Sequence, residues 1–294
     1  MAVRRIFIAG AGSMGQGIAE TAAIAGIEVV LSDVDQEHLD AAIRGIESSL
    51  NTLIERWAIT ASEKRTILSR IETVVGLTKT DDCEFAIEAV PEQIDLKKQI
   101  FKGFDSEFDE ETVFVTTTST LNITEIGGVT GRQDKVVGMH FPFPIVRASV
   151  VEVVRALKTS DQTFDLAKGL VVQMGKEVVE VNEYPGFITT RVMIPFINEA
   201  IYALMEGIAS AEAIDKAIKL GFGFPIGPLE LADTLGLDDL IMLMEGLYRE
   251  LGDLKYKPCP LLRRMVRDGN IGKKVGKGFF VYEKGSVDDE DTGS

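Results

Sequence analysis

The chain has 294 residues, 45% hydrophobic and 26% charged, which is the make-up of an ordinary globular protein long enough for two domains. No run approaches ~20 uninterrupted apolar residues, which argues against a membrane-spanning helix. A net charge of −15 argues against nucleic acid as a partner, because phosphate backbones call for a positive surface.

The N-terminus, MAVRRIFIAGAG, joins two arginines to an apolar run. That run is too short for a secretory signal and flows directly into a glycine motif, so it reads as a first strand. GAGSMG, residues 10–15, then precedes a helical pattern. The tight turn needs Gly10, a pyrophosphate approaches at Gly12, and Gly15 lets helix and strand pack closely. Ser13 and Met14 open the helix, whose free N–H groups and positive dipole end favour phosphate. With 28 glycines in the chain the string alone is weak, and its position as the first turn of a βαβ unit gives it weight. Asp33 ends the second strand, IEVVLSD, where a carboxylate accepts both ribose hydroxyls and repels a 2′-phosphate. No arginine follows in VDQE, so NAD is expected rather than NADP. His38, just beyond, reads as a residue on a solvated face.

Residues 36–70 read as two helices inserted between the second and third strands. TVVGL, EFAIEAV, TVFVTTT, KVVGMHF and VVEVV continue the series of short, β-branched strands, with amphipathic segments such as IDLKKQIFKGF between most of them. Near-continuous apolar strands separated by helices indicate a mainly parallel sheet covered on both faces, a Rossmann-type doubly wound α/β domain over residues 1–183. GMHFPFP, residues 138–144, holds one of only two histidines. Between Met139, Phe141 and Phe143, His140 reads first as a buried, hydrogen-bonded core side chain.

After about residue 182 the strand signal stops, and VNEYPGF supplies a turn. Residues 184–294 read as all-helical: a helix over 187–206, one opened by Ser210 and one started by Pro228 at a favoured first-turn position. Pro195 predicts a kink or two separate pieces, and Gly221 stands where a helix-ending glycine is expected. Residues 257–284 carry eight Lys/Arg against two acids in an otherwise acidic chain. The tail SVDDEDTGS reads as a solvated, disordered end. Cys83 and Cys259 match no metal or redox spacing, so no metal site is expected and a reducing, cytoplasmic setting is the default.

The ordered set GAGSMG, EAVPE, TSTL, GMHF, VVEVV, PGF, GPLELAD and GKKVGKGFF resembles the 3-hydroxyacyl-CoA dehydrogenases, including the bacterial 3-hydroxybutyryl-CoA enzymes, over nearly the whole chain. The resemblance implies a two-domain enzyme of fatty acid metabolism, often dimeric through its helical domain, that oxidises an L-3-hydroxyacyl-CoA with NAD. It places the catalytic base on His140, the acid that orients it on Glu152 and a substrate-binding serine on Ser119. It implies cofactor contacts at Ser119, Glu92, Lys97 and Lys274, and coenzyme A contacts at Ser49 and Arg56, with arginine where the family commonly has lysine. Without the resemblance, Lys97 reads as an exposed helix charge and Arg56 as a solvated one.

Three positions depart from the family pattern. Phe143 replaces an asparagine that contacts nicotinamide, Thr117 stands at another asparagine position, and Thr190 stands where an asparagine helps hold substrate. His140, Glu152 and Ser119 remain, so the departures imply a changed substrate or pocket geometry around a working base. Two other readings stay open at this stage: a dehydrogenase of a free 3-hydroxy acid without coenzyme A, and a non-catalytic NAD-binding protein.

Overall fold

A computed structural model of the chain describes residues 2–78, 82–142 and 144–282. The chain divides after Phe187 into two compact units. In the first, β1 (Arg5–Ala9), α1 (Ser13–Ile24) and β2 (Glu28–Asp33) form the opening βαβ unit. The insertion α2 (Gln36–Glu55) and α3 (Ala61–Leu68) follows, then β3 (Ile71–Val75), β4 (Phe85–Glu88), α4 (Ile94–Glu107), β5 (Val113–Thr116) and α5 (Ile123–Gly127). The unit closes with β6 (Val136–His140), β7 (Val150–Arg155), α6 (Asp161–Gln173) and β8 (Glu177–Asn182).

These strands form one sheet in the order β3-β2-β1-β4-β5-β6-β7-β8. Neighbours run parallel except β6 and β7, which are antiparallel. The chain leaves β1 for one edge and returns beside it as β4, which makes the β1/β4 crevice a topological switch point. The edge strand β8 was not among the expected strands. Its run KEVVEVN mixes acids with valines because its residues are only partly covered.

Alternation along the strands sorts the core. Ile6, Ile8, Phe85, Ile87, Val113, Val115, Val137, Met139, Val151 and Val153 point to one face, under α1, α2 and α6. Phe7, Ala9, Ala86, Phe114, Val136 and Val154 point to the other, with Phe101 and Phe104 of α4 and Phe108 beside it. There Phe7 and Phe108 pack edge to face with ring centres 4.9 Å apart. Local signals set the helix ends: Asp35 accepts the N–H of His38 at the start of α2, and Thr60 and Glu63 form a reciprocal capping box at α3.

The second unit contains α7 (Thr189–Met205), α8 (Ala211–Phe222), α9 (Pro228–Leu235), α10 (Leu237–Leu251) and α11 (Pro260–Arg267) around a separate core. Pro195 lies inside α7, which runs on as one helix, so the two-piece alternative is not what forms. Ser210 caps α8 and Pro228 opens α9. Helix α8 continues through Gly221, and the left-handed terminator is Gly223, with φ +72°. Gly223 satisfies the capping geometry two residues later, so the expected stop at Gly221 is corrected.

The segment GKKVGKGFF closes on α9 through Asp233. Buried Asp233 accepts the N–H groups of Phe279 and Phe280 and the hydroxyl of Tyr282, each at 2.9 Å. A Cβ on Gly272 would lie 2.3 Å from the Asp233 carbonyl oxygen, and one on Gly278 would lie 1.9 Å from its carboxylate. Two of the motif's glycines are therefore required by this close approach. Among the described residues no helix is long and apolar enough to cross a membrane, and no group of three His, Cys, Asp or Glu is placed to hold a metal ion.

Candidate active site

Strand parity brings the polar residues together. Ala86, Phe114, Val136 and Val154 share one face of the sheet. Glu88 and Thr116 lie two residues beyond Ala86 and Phe114, His140 four beyond Val136, and Glu152 two before Val154, so all four point to that face. Glu88, Thr116 and His140 are the last residues of β4, β5 and β6, where open α/β sheets place their ligands. Gly138, between Val136 and His140, lies under α5: a Cβ there would come within 2.4 Å of the Ile123 side chain.

His140 and Glu152 sit directly opposite each other on the antiparallel pair β6/β7. The His140 Nδ1 is 2.5 Å from a Glu152 carboxylate oxygen, and both residues are buried. An ionised carboxylate only accepts, so Nδ1 carries the proton and donates it. Nε2 then carries the ring's lone pair and is its basic position. Phe187 packs on the imidazole with ring centres 5.5 Å apart. Its backbone is left-handed (φ +47°), directly after Gly186 at φ +81°. A buried phenylalanine in that region is strained, and the packing of its ring on the histidine helps offset that cost.

Beside this pair lies a buried charge network. Lys97, only 1% exposed, donates to Glu88 Oε1 at 2.6 Å and to the Val90 carbonyl at 3.1 Å. It therefore is not the exposed helix charge its position suggested without the family pattern. The Thr116 hydroxyl and the Val90 N–H also donate to Glu88. Burial pushes the Glu88 carboxyl above its ordinary range, with the Lys97 ammonium pulling the other way. Glu92, 3.4 Å from Lys97, accepts from the N–H groups of Ser119 and Thr120 and from the Thr118 and Thr120 hydroxyls. Burial raises the Glu92 carboxyl, but Lys97 and these donors outweigh it and hold the group below the usual range. Glu92 thus fixes the backbone of Ser119 and leaves that residue's hydroxyl for another partner.

The glycine turn fits a dinucleotide. Gly10 has φ +108°, and a Cβ there would lie 2.5 Å from the Ala89 carbonyl oxygen. At Gly15 a Cβ would collide with the Gly10 carbonyl at 1.8 Å, whereas at Gly12 it would meet nothing within 4 Å. The first and third glycines close the turn, and the second faces open space. Gly12 precedes α1 without a side-chain cap, so the N–H groups of exposed Ser13, half-buried Met14 and Gly15 are placed for a pyrophosphate. Asp33 accepts from Ala11 N–H at 2.6 Å and Val34 N–H at 2.7 Å, which ties the strand end to the turn. His38 Nδ1 lies 2.9 Å from Asp35 and 3.7 Å from Asp33.

On the insertion, Ser49 donates to Glu20 of α1 at 2.7 Å, and burial raises that carboxyl. Arg56 is exposed at the end of α2. Two candidates belong to the second unit. Thr190 is buried in the first turn of α7, and Lys274 is paired with Asp238 at 2.6 Å and Asp239 at 3.3 Å. Thr117 is buried after β5, its N–H bonded to the Glu88 carbonyl. Phe143 lies outside the described residues.

Three residues escaped the sequence reading. Glu88 is an acid ending an otherwise apolar strand, FAIE, which was its signal. Phe187 stands in PGF, a run whose sequence by itself reads only as a turn. Lys176 gave no signal. Buried, and with no carboxylate partner among the described residues, it donates to the carbonyls of Ile145 and Ala148 at 2.7 and 2.5 Å, and burial lowers its pKa. It thereby anchors the loop between His140 and Glu152.

The sequence matches the family described as 3-hydroxyacyl-CoA dehydrogenase, NAD binding domain, over residues 5–184, and its C-terminal domain over residues 186–282. The chain is 44% identical to a probable 3-hydroxybutyryl-CoA dehydrogenase of Bacillus subtilis over 284 residues, covering 97% of this chain and 99% of that protein. It is 39% identical to the 3-hydroxybutyryl-CoA dehydrogenase of Bradyrhizobium diazoefficiens, covering 95% and 96%. Among solved structures it is similar to (S)-3-hydroxybutyryl-CoA dehydrogenase from Ralstonia eutropha, with a TM-score of 0.87 and 40% identity over 96% of this chain and all of that one.

Proposed function

This chain belongs to the 3-hydroxyacyl-CoA dehydrogenase family, and from that premise we propose that His140 is the general base of its reaction, oriented by Glu152. The protein is an NAD-dependent oxidoreductase that interconverts an (S)-3-hydroxyacyl-CoA, equivalently the L isomer, and the 3-oxoacyl-CoA. The observation that carries the proposal is the buried 2.5 Å contact between His140 Nδ1 and the Glu152 carboxylate.

NAD, when bound, supplies the acceptor for the hydride that leaves C3 of the substrate. His140 Nε2 takes the proton of the C3 hydroxyl. Glu152 keeps the ring in the tautomer with Nε2 unprotonated and stabilises the imidazolium once the proton has arrived. Phe187 covers the ring and limits its exposure to water. Ser119, its backbone held by Glu92, offers a hydroxyl to the substrate oxygen. The Thr190 hydroxyl, on α7 of the second unit, is a short arm where an amide would reach further. Gly10, Gly12, Ser13, Met14, Gly15, Asp33, Glu92 and Lys97 form the cofactor site, and Ser49 and Arg56 hold coenzyme A. The assembly is a homodimer through the helical unit, a reading supported by exposed Val192, Ile208, Leu220 and Phe222. The free, buried thiols of Cys83 and Cys259 support a cytoplasmic setting.

Following NADH absorbance with acetoacetyl-CoA and with free acetoacetate tests the substrate. Turnover of the thioester alone is expected. Equal turnover of the free acid would remove coenzyme A from the reading, and no turnover of either would remove catalysis. NADPH in place of NADH tests the cofactor. Asp33→Ala is expected to raise KM for NAD roughly 10- to 100-fold, the loss of charge-assisted bonds to a ribose. KM for NADP should change less, because the same substitution removes the carboxylate that repels a 2′-phosphate. Equal use of both cofactors by the unmodified enzyme would overturn the assignment of Asp33.

A further inference from the structure

Helix α2 ends with an unusual residue at its terminator. The Trp57 N–H donates to the Ile54 carbonyl and the Ala58 N–H to the Leu53 carbonyl, each at 2.9 Å. This reciprocal pair closes the helix only if the residue after the Arg56 cap is left-handed, and Trp57 has φ +60°. Glycine is the default at such a position, because any Cβ is strained there. Trp57 is the single tryptophan of the chain, and it is 94% exposed, so packing does not offset the strain. A strained backbone carrying a large exposed aromatic ring points to a role outside the fold.

The surroundings indicate what that ring meets. Residues 56–70 carry four Lys/Arg against one acid, in a chain whose net charge is −15. Arg56 precedes the indole directly. Ser49 lies seven residues before Arg56, two helical turns back and on the same face of α2. A flat apolar ring directly after an exposed arginine, in a locally basic stretch of sequence, suits a flat base that carries phosphates. The adenosine 3′-phosphate 5′-diphosphate end of coenzyme A has this chemistry. Resting on the coenzyme A reading above, we propose that Trp57 is the stacking platform for the adenine ring of the acyl-CoA substrate.

Because Trp57 is the only indole, its fluorescence reports on the contact directly. Free coenzyme A is expected to quench the emission saturably, and pantetheine, which lacks the nucleotide, is expected to leave it unchanged. NAD, which also carries adenine, should have no effect at concentrations that saturate its own site. Trp57→Gly relieves the backbone strain, so the variant should fold at least as well as the parent. Its KM for acetoacetyl-CoA is expected to rise roughly tenfold, while KM for the acetoacetyl thioester of N-acetylcysteamine stays where it was. Trp57→Phe should recover part of the loss, since a smaller ring still stacks. Unchanged emission with saturating coenzyme A, quenching by NAD instead, or an unchanged KM in Trp57→Gly would each overturn the proposal. If the unmodified enzyme handles the two thioesters equally well, the coenzyme A reading itself fails and the proposal falls with it.

Discussion

Replacing His140 by glutamine is expected to lower turnover ~10²- to 10⁴-fold while NAD binding survives. The substitution removes the Nε2 lone pair that takes the hydroxyl proton. The glycine turn follows β1, Asp33 ends β2, and Glu92 and Lys97 follow β4, all apart from β6, so the substitution does not touch these cofactor residues directly. Glu152→Gln is expected to cost less than His140→Gln. Its amide oxygen can still accept from Nδ1–H and hold the tautomer, but it brings no charge to stabilise the imidazolium. Steady-state turnover measured beside NAD titration by calorimetry separates these effects. Near-full turnover in His140→Gln would return the imidazole to the role of a core side chain packed under Phe187.

How far the site could be read in advance follows from how local each signal is. GAGSMG and Asp33 were legible because one turn and one strand end carry their geometry. The helical insertion was legible from its length and period. His140 and Glu152 are different: nothing in a spacing of twelve residues makes them partners. Their contact needs β7 to run antiparallel to β6 in one register, a tertiary fact that only a family pattern could supply. Lys97 shows the limit most clearly. From the sequence alone a lysine in IDLKKQIFKGF belongs on the wet face of a helix, and it is buried because Glu88 ends β4 beneath it. Strand β8 hid for the opposite reason, since an edge strand need not be apolar. Gly221 misled because two glycines stand close together and only φ separates the terminator from its neighbour.

That buried pair gives the other large expected effect, on stability. Among the described residues, Lys97→Met removes the one ammonium bonded to Glu88 and leaves its carboxylate with the Thr116 hydroxyl and the Val90 N–H. Breaking a buried pair on one side typically costs ~3–5 kcal/mol, because the remaining charge is uncompensated. The loss should depend on pH, and its sign follows from Glu88. Burial already raises this carboxyl above its ordinary range, and without Lys97 the opposing ammonium is gone. A carboxyl whose folded pKa lies above its unfolded value binds more protons when folded. Its penalty therefore grows as pH rises through the unfolded value toward the folded one, and shrinks as pH falls. The deficit of Lys97→Met relative to the parent should be largest at pH 8 and smaller near pH 5 (urea unfolding followed by circular dichroism measures it). Adding Glu88→Gln should restore much of the lost stability, since the amide oxygen can still accept from the Val90 N–H, its NH2 can donate to the Thr116 hydroxyl oxygen, and it needs no counter-charge. Lys98→Met is the control: it breaks a solvent-exposed pair with Glu125 and should change stability by less than about 1 kcal/mol. A deficit independent of pH from 5 to 8, or one that Glu88→Gln fails to relieve, would mean that Lys97 stabilises the unit through its packing, with its charge contributing little.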